Sequence, residues 1–473
     1  MMNKRIIIFA ITTVFFSNIF AQNWQFQTVG DGVKPALDLE SNGNPQISFM
    51  LEDHSGFVKH AIWDSVLSVF LVTTVANGYF YGPLDLAIDQ NDIPHINYHN
   101  HTFEDQVHAY LNNSTWINER IQNPGHDGWD NTIVIDADNH PRTCTVDPSG
   151  FNGDGVEYAV FDGNSWQVEA IGSASIMYAN GTSLAIDKQG APHITYYNDI
   201  AQKLKYAEKV TGSWLITTVD SLGDAGRFSS LQLDAADRAH ITYYRHLGDS
   251  SGVVKYAVQQ TNGWDISTID TLHHVYIGFS GARNMTSLIL DSPGIPHLTY
   301  SDEKLLKYAI WDGAAWQKEI IVDVSATPTI LGQLTSLKLD RKLDPHIAYY
   351  EVTNKSPLTG VVKYATRKTV TAIEETPGIS PQKFELFQNF PNPFNPSTTI
   401  TYRVATPSKI VLKIFDILGN EVKTLVNRVQ ASGIKRVVWD GKNSSGSGVG
   451  SGVFIYRLTV NRHTYSKKMV LLR

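Results

Sequence analysis

Residues Ser183–Trp214 read SLAIDKQGAPHITYYNDIAQKLKYAEKVTGSW. Three short runs alternate in character: Leu184–Ile186 closed by Asp187, His193–Tyr197, and Leu204–Ala207. A fourth run, Trp214–Val219, follows, and Lys188–Pro192 makes a turn rich in Gly and Pro. Period-two alternation bounded by turn residues is the pattern of strands, so the stretch predicts a four-stranded antiparallel meander.

The unit recurs. Its first run closes on Asp38, Asp89, Asp136, Asp187, Asp234, Asp291 and Asp340. Its third run reads VKHA, VHAY, VEYA, LKYA, VKYA, LKYA and VKYA in turn. A period of about fifty residues with four strands per repeat is the signature of a β-propeller, here all-β and seven-bladed. No stretch carries apolar residues at helical spacing over a helix's length, which excludes a helical repeat.

The fourth run begins with Trp116, Trp166, Trp214, Trp264 and Trp316, and Ser68-Val69-Phe70 stands at that place in the first full repeat. The seventh repeat has no fourth run, while Asn23–Gly32, NWQFQTVGDG, is a fourth run without its first three. Trp24–Val29 is therefore expected to complete the last blade and leave no open edge.

The chain has 473 residues, enough for two or three domains, and 42% hydrophobic with 11% aromatic residues supply large cores. A net charge of −7, from 39 basic and 46 acidic residues, gives no footprint for nucleic acid. Lys4 and Arg5, the apolar run Ile6–Phe16 and Ala21 make residues 1–21 a secretory signal, and no later segment is apolar enough to cross a membrane as a helix. The single cysteine, Cys144, excludes an internal disulfide and has no Cys–His arrangement, so it reads as a packing residue.

Residues 22–368 are expected to form the propeller. In a meander, loops 1–2 and 3–4 open on one face, and loops 2–3 and the inter-blade loops open on the other. The first set is short and uniform. The second is long and varied, as in HNHTFEDQ at 99–106 and DTLHHVYIGFSGARNMT at 270–286. Long varied loops on a rigid frame are where binding sits. The inter-blade loops carry Tyr79, Tyr81, Trp129, Tyr178, Phe228, Tyr276 and Phe279, which are the candidate ligand-binding residues for a sugar or apolar group. The alternative is that these rings plug the channel mouth or staple adjacent blades.

His95, His193, His240, His297 and His346 each open the second strand, with Gln46 and Arg142 in the other two repeats. A residue repeated around a ring reads as a turn hydrogen bond to the repeated Asp. His95, His99, His101 and His108 form a local cluster in which His99 and His101 could join a metal site, but zinc-type carboxylate–histidine spacing is missing, so a solvated loop is expected, with no metal and no cofactor. DGNSW at 162–166 and DGAAW at 312–316 resemble shortened Asp-box turns of sialidase-type propellers, without the residue that box needs between Asp and Gly. No catalytic constellation is identified, and fold alone does not give function.

Residues 369–383, TVTAIEETPGISPQK, break the repeat and read as a linker. Residues 384–473 alternate again, with turns at Leu418-Gly419-Asn420, Ser432-Gly433 and Asp440–Gly452, and predict a small Ig-like β-sandwich. This segment resembles the type A C-terminal sorting domain of the type IX secretion system. The matching elements are Pro391-Asn392-Pro393-Phe394-Asn395-Pro396, Asp416 and Gly419, Trp439-Asp440-Gly441, Ser451-Gly452-Val453-Phe454 and Lys467-Lys468-Met469-Val470-Leu471. Phe390 stands where Tyr is common in that family, and Arg403-Val404-Ala405 where Leu-Pro is common. The resemblance implies export to the periplasm, passage through the outer membrane by the type IX machinery, and removal of this domain. The expected protein is a secreted or cell-surface binding module for an extracellular glycan or protein. The alternative is an extracellular glycosidase or lyase on a sialidase-like frame.

Overall fold

The computed structural model describes residues 24–51, 56–121, 128–146, 155–172, 181–248, 251–273, 286–332, 334–355, 358–367, 384–387, 389, 392, 394–404, 408–417, 419–430, 433–460 and 463–472. The expected signal at 1–21, the linker at 369–383 and residues Tyr178, Tyr276, Phe279, Pro391 and Pro393 lie outside them, as does the side chain of Tyr81. The chain divides into two compact units, residues 1–369 and 370–473.

Every helix-or-strand element among the described residues is a strand. Among the described residues, the first unit holds seven antiparallel sheets in repeating blades. Thr182–Ile186, Pro192–Asn198, Lys203–Val210 and Ser213–Asp220 pair in sequence order, as the alternation predicts. One sheet departs from that order: Gln25–Asp31 pairs with Leu358–Thr366, from Gln25 opposite Thr366 to Asp31 opposite Val361. The N-terminal strand is thus the outer strand of the last blade.

Two repeated devices join consecutive blades. An aromatic ring on each third strand meets, edge to face, the aromatic that opens the next blade's outer strand. The pairs are His60–Trp116, His108–Trp166, Tyr158–Trp214, Tyr206–Trp264, Tyr256–Trp316, Tyr308–Trp24 and Tyr364–Phe70, with centroids between 5.1 and 5.9 Å apart. Trp24 fills the last blade's position and Phe70 receives the closing contact. Edge-to-face pairs of this kind contribute about 0.5–1.5 kcal/mol each beyond their buried area.

The second device is polar. At the innermost strands, the Asp85 carboxylate and the hydroxyls of Ser183, Ser230, Ser287 and Ser336 accept the backbone N–H of Ile133, Leu231, Leu288, Leu337 and Leu37 in the next blade. The last of these joins the last blade to the first. Segments from all seven sheets, among them Lys34–Leu37, Pro83–Leu86 and Leu334–Lys338, line one central cavity of about 140 Å³.

Each blade's first turn is pinned by a carboxylate that accepts amide N–H bonds two or four residues on, as Asp187 does from Gln189 and Ala191. In the first blade this residue is Glu40, not Asp38 as the repeat alignment expects. Glu40 and Asn44 close that turn as Asp89 and Ile93 close the next, and Gln46 Nε2 donates to Glu40 Oε1 at 3.0 Å. Asp38 instead accepts the Ile88 N–H of the next blade at 2.8 Å, with Lys338 Nζ 3.1 Å from its other oxygen.

The repeated histidine does face its own blade's carboxylate, at 3.4 Å for His193–Asp187 and 3.3 Å for His240–Asp234. Its other nitrogen meets the third-strand tyrosine, Tyr206 for His193 at 2.5 Å and likewise Tyr256, Tyr308 and Tyr364. In the third blade Arg142 takes the same place between Asp136 and Tyr158. Burial holds His95 down to about 4 and lowers His240, His297 and His346 as well, so these rings stay neutral at neutral pH. Cys144 is fully buried and its thiol is pushed up by burial, in keeping with a packing role.

The second unit pairs a three-stranded sheet (Glu385–Leu386, Thr398–Val404, Gly433–Trp439) with a four-stranded one (Ser408–Phe415, Glu421–Gln430, Gly452–Val460, His463–Leu471). Its core centres on Trp439, fully buried between Phe394 and Phe454 at 5.6 and 5.1 Å, with Nε1–H donating to the Lys442 carbonyl. The described part of the proline-rich motif joins the chain's last strand: Phe394 N–H donates to Val470 O, Leu472 N–H to Phe394 O, and Val470 N–H to Asn392 Oδ1. Asn395 and Pro396 are exposed. Asp416 and Gly419 form a turn in which Gly419 takes a φ of 87°, a region that favours glycine. Gly452 opens its strand, and Lys467 and Lys468 are exposed on the edge strand, where cations discourage pairing with other chains.

Candidate functional site

Three loops of the varied class converge beside the second blade. Strand Pro94–Asn100 delivers His99 at its end, and His101 and Glu104 follow in the turn before strand Asp105–Asn112. Tyr79 comes from the inter-blade loop before the second blade and Trp129 from the one after it. His101 N–H donates to Tyr79 O at 2.9 Å, and the two rings lie 4.7 Å apart. The His99 ring lies 6.1 Å from Trp129 and 5.8 Å from His101. These contacts place loops 2–3 and the inter-blade loops on one face, as the meander predicts.

Glu104 reaches both histidines, with Oε1 3.1 Å from His101 Nδ1 and Oε2 3.7 Å from His99 Nε2. His99 is completely buried, which corrects the expected solvated loop. Gly128 makes that burial possible. Its φ is 88°, and a Cβ there would come within 3.0 Å of Gln106 Cα and 3.2 Å of His99 Nδ1. His95 and His108 are apart from this group, hydrogen-bonded to each other at 2.9 Å inside the blade.

The expected aromatic residues divide. Tyr79 is 38% exposed and Trp129 half-buried, so both offer ring surface on the loop-rich face. Phe228 is core, a correction to its place among the ligand-binding candidates. It sits at φ 57° in an irregular stretch of its inner strand, which packs its ring 6.2 Å from the buried Tyr244. Spacing along a loop does not reveal such a backbone reversal.

The same face carries a charged constellation that the repeat conceals. Tyr197 O–H donates to Asp224 Oδ1 at 2.6 Å, and Arg227 bonds both, its guanidinium 4.4 Å over the Tyr197 ring. Burial, then the Asp224 carboxylate, pushes the Tyr197 hydroxyl up and keeps it protonated. In the channel, burial pushes Asp85 up to about 6. Burial opposes the charge of Lys338, but the Asp38 and Asp85 carboxylates outweigh it.

Residues 395–465 match the FlgD Ig-like domain family. No curated protein matches the chain. Among solved structures it is similar to a PL25 ulvan lyase bound to -[GlcA(1-4)Rha3S]-, at 11% identity and a TM-score of 0.49, over 71% of this chain and 94% of the other. It is similar to AofleA of Arthrobotrys oligospora, at 13% identity and 0.43, over 64% of this chain and 90% of the other. It is also similar to PorZ, a surface component of the type IX secretion system of Porphyromonas gingivalis, at 11% identity and 0.38, over 93% of this chain and 68% of the other.

Proposed function

We propose that the chain is an exported binding module: a seven-bladed propeller at 22–368, closed by its N-terminal strand, which takes an extracellular glycan on its loop-rich face. The signal at 1–21, the linker at 369–383 and the sorting-type domain at 384–473 make it a client of type IX secretion, secreted or held at the cell surface. The observation that carries the binding reading is the pair Tyr79 and Trp129, which flank His99 and His101 on the varied face. Partly exposed rings on loops anchored to rigid sheets stack on sugar faces at small entropic cost.

The alternative is a glycosidase or lyase, and a glycosidase calls for two facing carboxylates on this face. Among the described residues there, Asp224 is committed to Arg227 and Tyr197 and Glu104 to His101 and His99, which favours binding over hydrolysis. The test is a glycan array with the purified propeller, followed by titration of any hit with Tyr79→Ala and Trp129→Ala. Loss of about tenfold or more in affinity with an unchanged melting curve supports the reading. A hit bound equally by parent and double variant removes it, and a double variant that unfolds assigns both rings to blade packing.

A further inference from the structure

We propose that His99, His101 and Glu104 bind a divalent transition-metal ion of the zinc class, through His99 Nε2, His101 Nδ1 and the Glu104 carboxylate. The three ligand atoms lie within 4.8 Å of one another. The two nitrogen–oxygen separations are 3.1 and 3.7 Å. Zinc at about 2.0–2.1 Å from nitrogen and oxygen sets tetrahedral ligands about 3.3 Å apart; the 3.1 and 3.7 Å separations, made by the two different Glu104 oxygens, lie near that value, and the widest pair draws in from as much as 4.8 Å on binding. Two imidazoles with one carboxylate suit zinc better than calcium or magnesium, which prefer all-oxygen sets. Three protein ligands leave a fourth position for water or a ligand oxygen.

The backbone is arranged for this convergence. His99 lies next to the end of its strand and His101 opens the turn that follows, with the two rings 5.8 Å apart. His101 is tied by its N–H to Tyr79, and Glu104 takes a φ of 54°, uncommon for a side chain of its kind. That reversal returns the carboxylate to both rings. Gly128 and Trp129 close the inner side and supply the low-dielectric wall that metal sites use. His101 and Glu104 side chains are 35% and 30% exposed, so the remaining position faces solvent on the same side as Tyr79. The site stands independently of glycan binding, although a metal there would present its open position next to the proposed stacking ring.

The test uses the full mature chain, stripped with a chelator and titrated with Zn²⁺ by calorimetry, with Co²⁺ as a visible-spectrum probe of tetrahedral nitrogen–oxygen ligation. One equivalent is expected, together with a metal-dependent rise in Tm. Glu104→Gln and His101→Ala, at half-exposed positions, should weaken binding by about tenfold to a hundredfold, and His140→Ala should leave it unchanged. A parent that takes up no zinc overturns the proposal, as does zinc binding that Glu104→Gln and His101→Ala leave intact. In that case the trio only braces its turn. Zinc uptake without any glycan hit would retain the metal site and remove the binding reading, and the reverse result would do the opposite.

Discussion

Deleting residues 22–30 should open the last blade, and the structure gives the size of the effect. Val29 is buried, and leaving it out forfeits about 2 kcal/mol of apolar burial. Trp24 is half-buried rather than fully enclosed, so its loss is set at about 2 kcal/mol, below the usual range for a core tryptophan. Its edge-to-face contact with Tyr308 adds about 1 kcal/mol. The strand's ladder to Leu358–Thr366 is roughly offset by the entropy of ordering the segment. The sum is about 5 kcal/mol, a large share of ordinary domain stability. At about 2 °C per kcal/mol for a domain of this size, Tm should fall by about 10 °C. Calorimetry measures the shift, and size-exclusion chromatography should show association through the exposed edge of Leu358–Thr366. Trp24→Ala alone should lower Tm by about 6 °C. A deletion variant that melts within a degree of the parent and stays monomeric would refute closure by this strand.

Deleting residues 384–473 should leave the protein in the periplasm, and unchanged levels outside the cell, measured by fractionation and immunoblotting, would exclude a sorting role. Acid should destabilise the propeller: burial holds His60 at about 3 and His95 at about 4 against an ordinary value of 6.5, so below pH 6.5 the unfolded chain binds protons the folded one refuses. Each such histidine costs about 1.4 kcal/mol per pH unit, and Asp85, at about 6 against 3.8, offsets one of them between those two values. Tm should therefore decline from pH 6.5 to 4, less steeply for His60→Phe, and an unchanged slope would rule out that account. Gly252→Ala should cost about 2 kcal/mol, read by thermal melting, because its Cβ would fall 2.1 Å from the Tyr244 hydroxyl.

Much of this architecture is legible in sequence because its determinants are local and repeated. Alternation and turn residues mark the blades, and the displaced fourth run with its Trp24 marks the closure. The alignment slipped only in the first repeat, where Asp38 mimics a turn residue that is in fact Glu40. The tyrosine partner of His193, His240, His297 and His346 stands in each blade's LKYA-type run, but only strand pairing shows that the two meet. The metal-type cluster is harder. His99 and His101 are two residues apart in sequence, yet Glu104 joins them through a positive φ, and Trp129 arrives from the next inter-blade loop. Phe228 fails for the same reason, since a backbone reversal decides whether a loop ring faces water or core.

The strand that completes the last blade also sets how the first unit responds to tension. Gln25 lies opposite Thr366, so the unit's two ends leave the ladder side by side. A pull applied between them opens the ladder pair by pair, like a zipper, instead of loading every bond at once as shear would. The fork of that zipper is held by Arg367, stacked 5.0 Å over the Trp24 ring and paired with Glu319, which also accepts the Trp24 Nε1–H at 3.1 Å. Under mechanical load this three-residue clasp is the first element to bear force, and its rupture sets the threshold at which the ring comes undone.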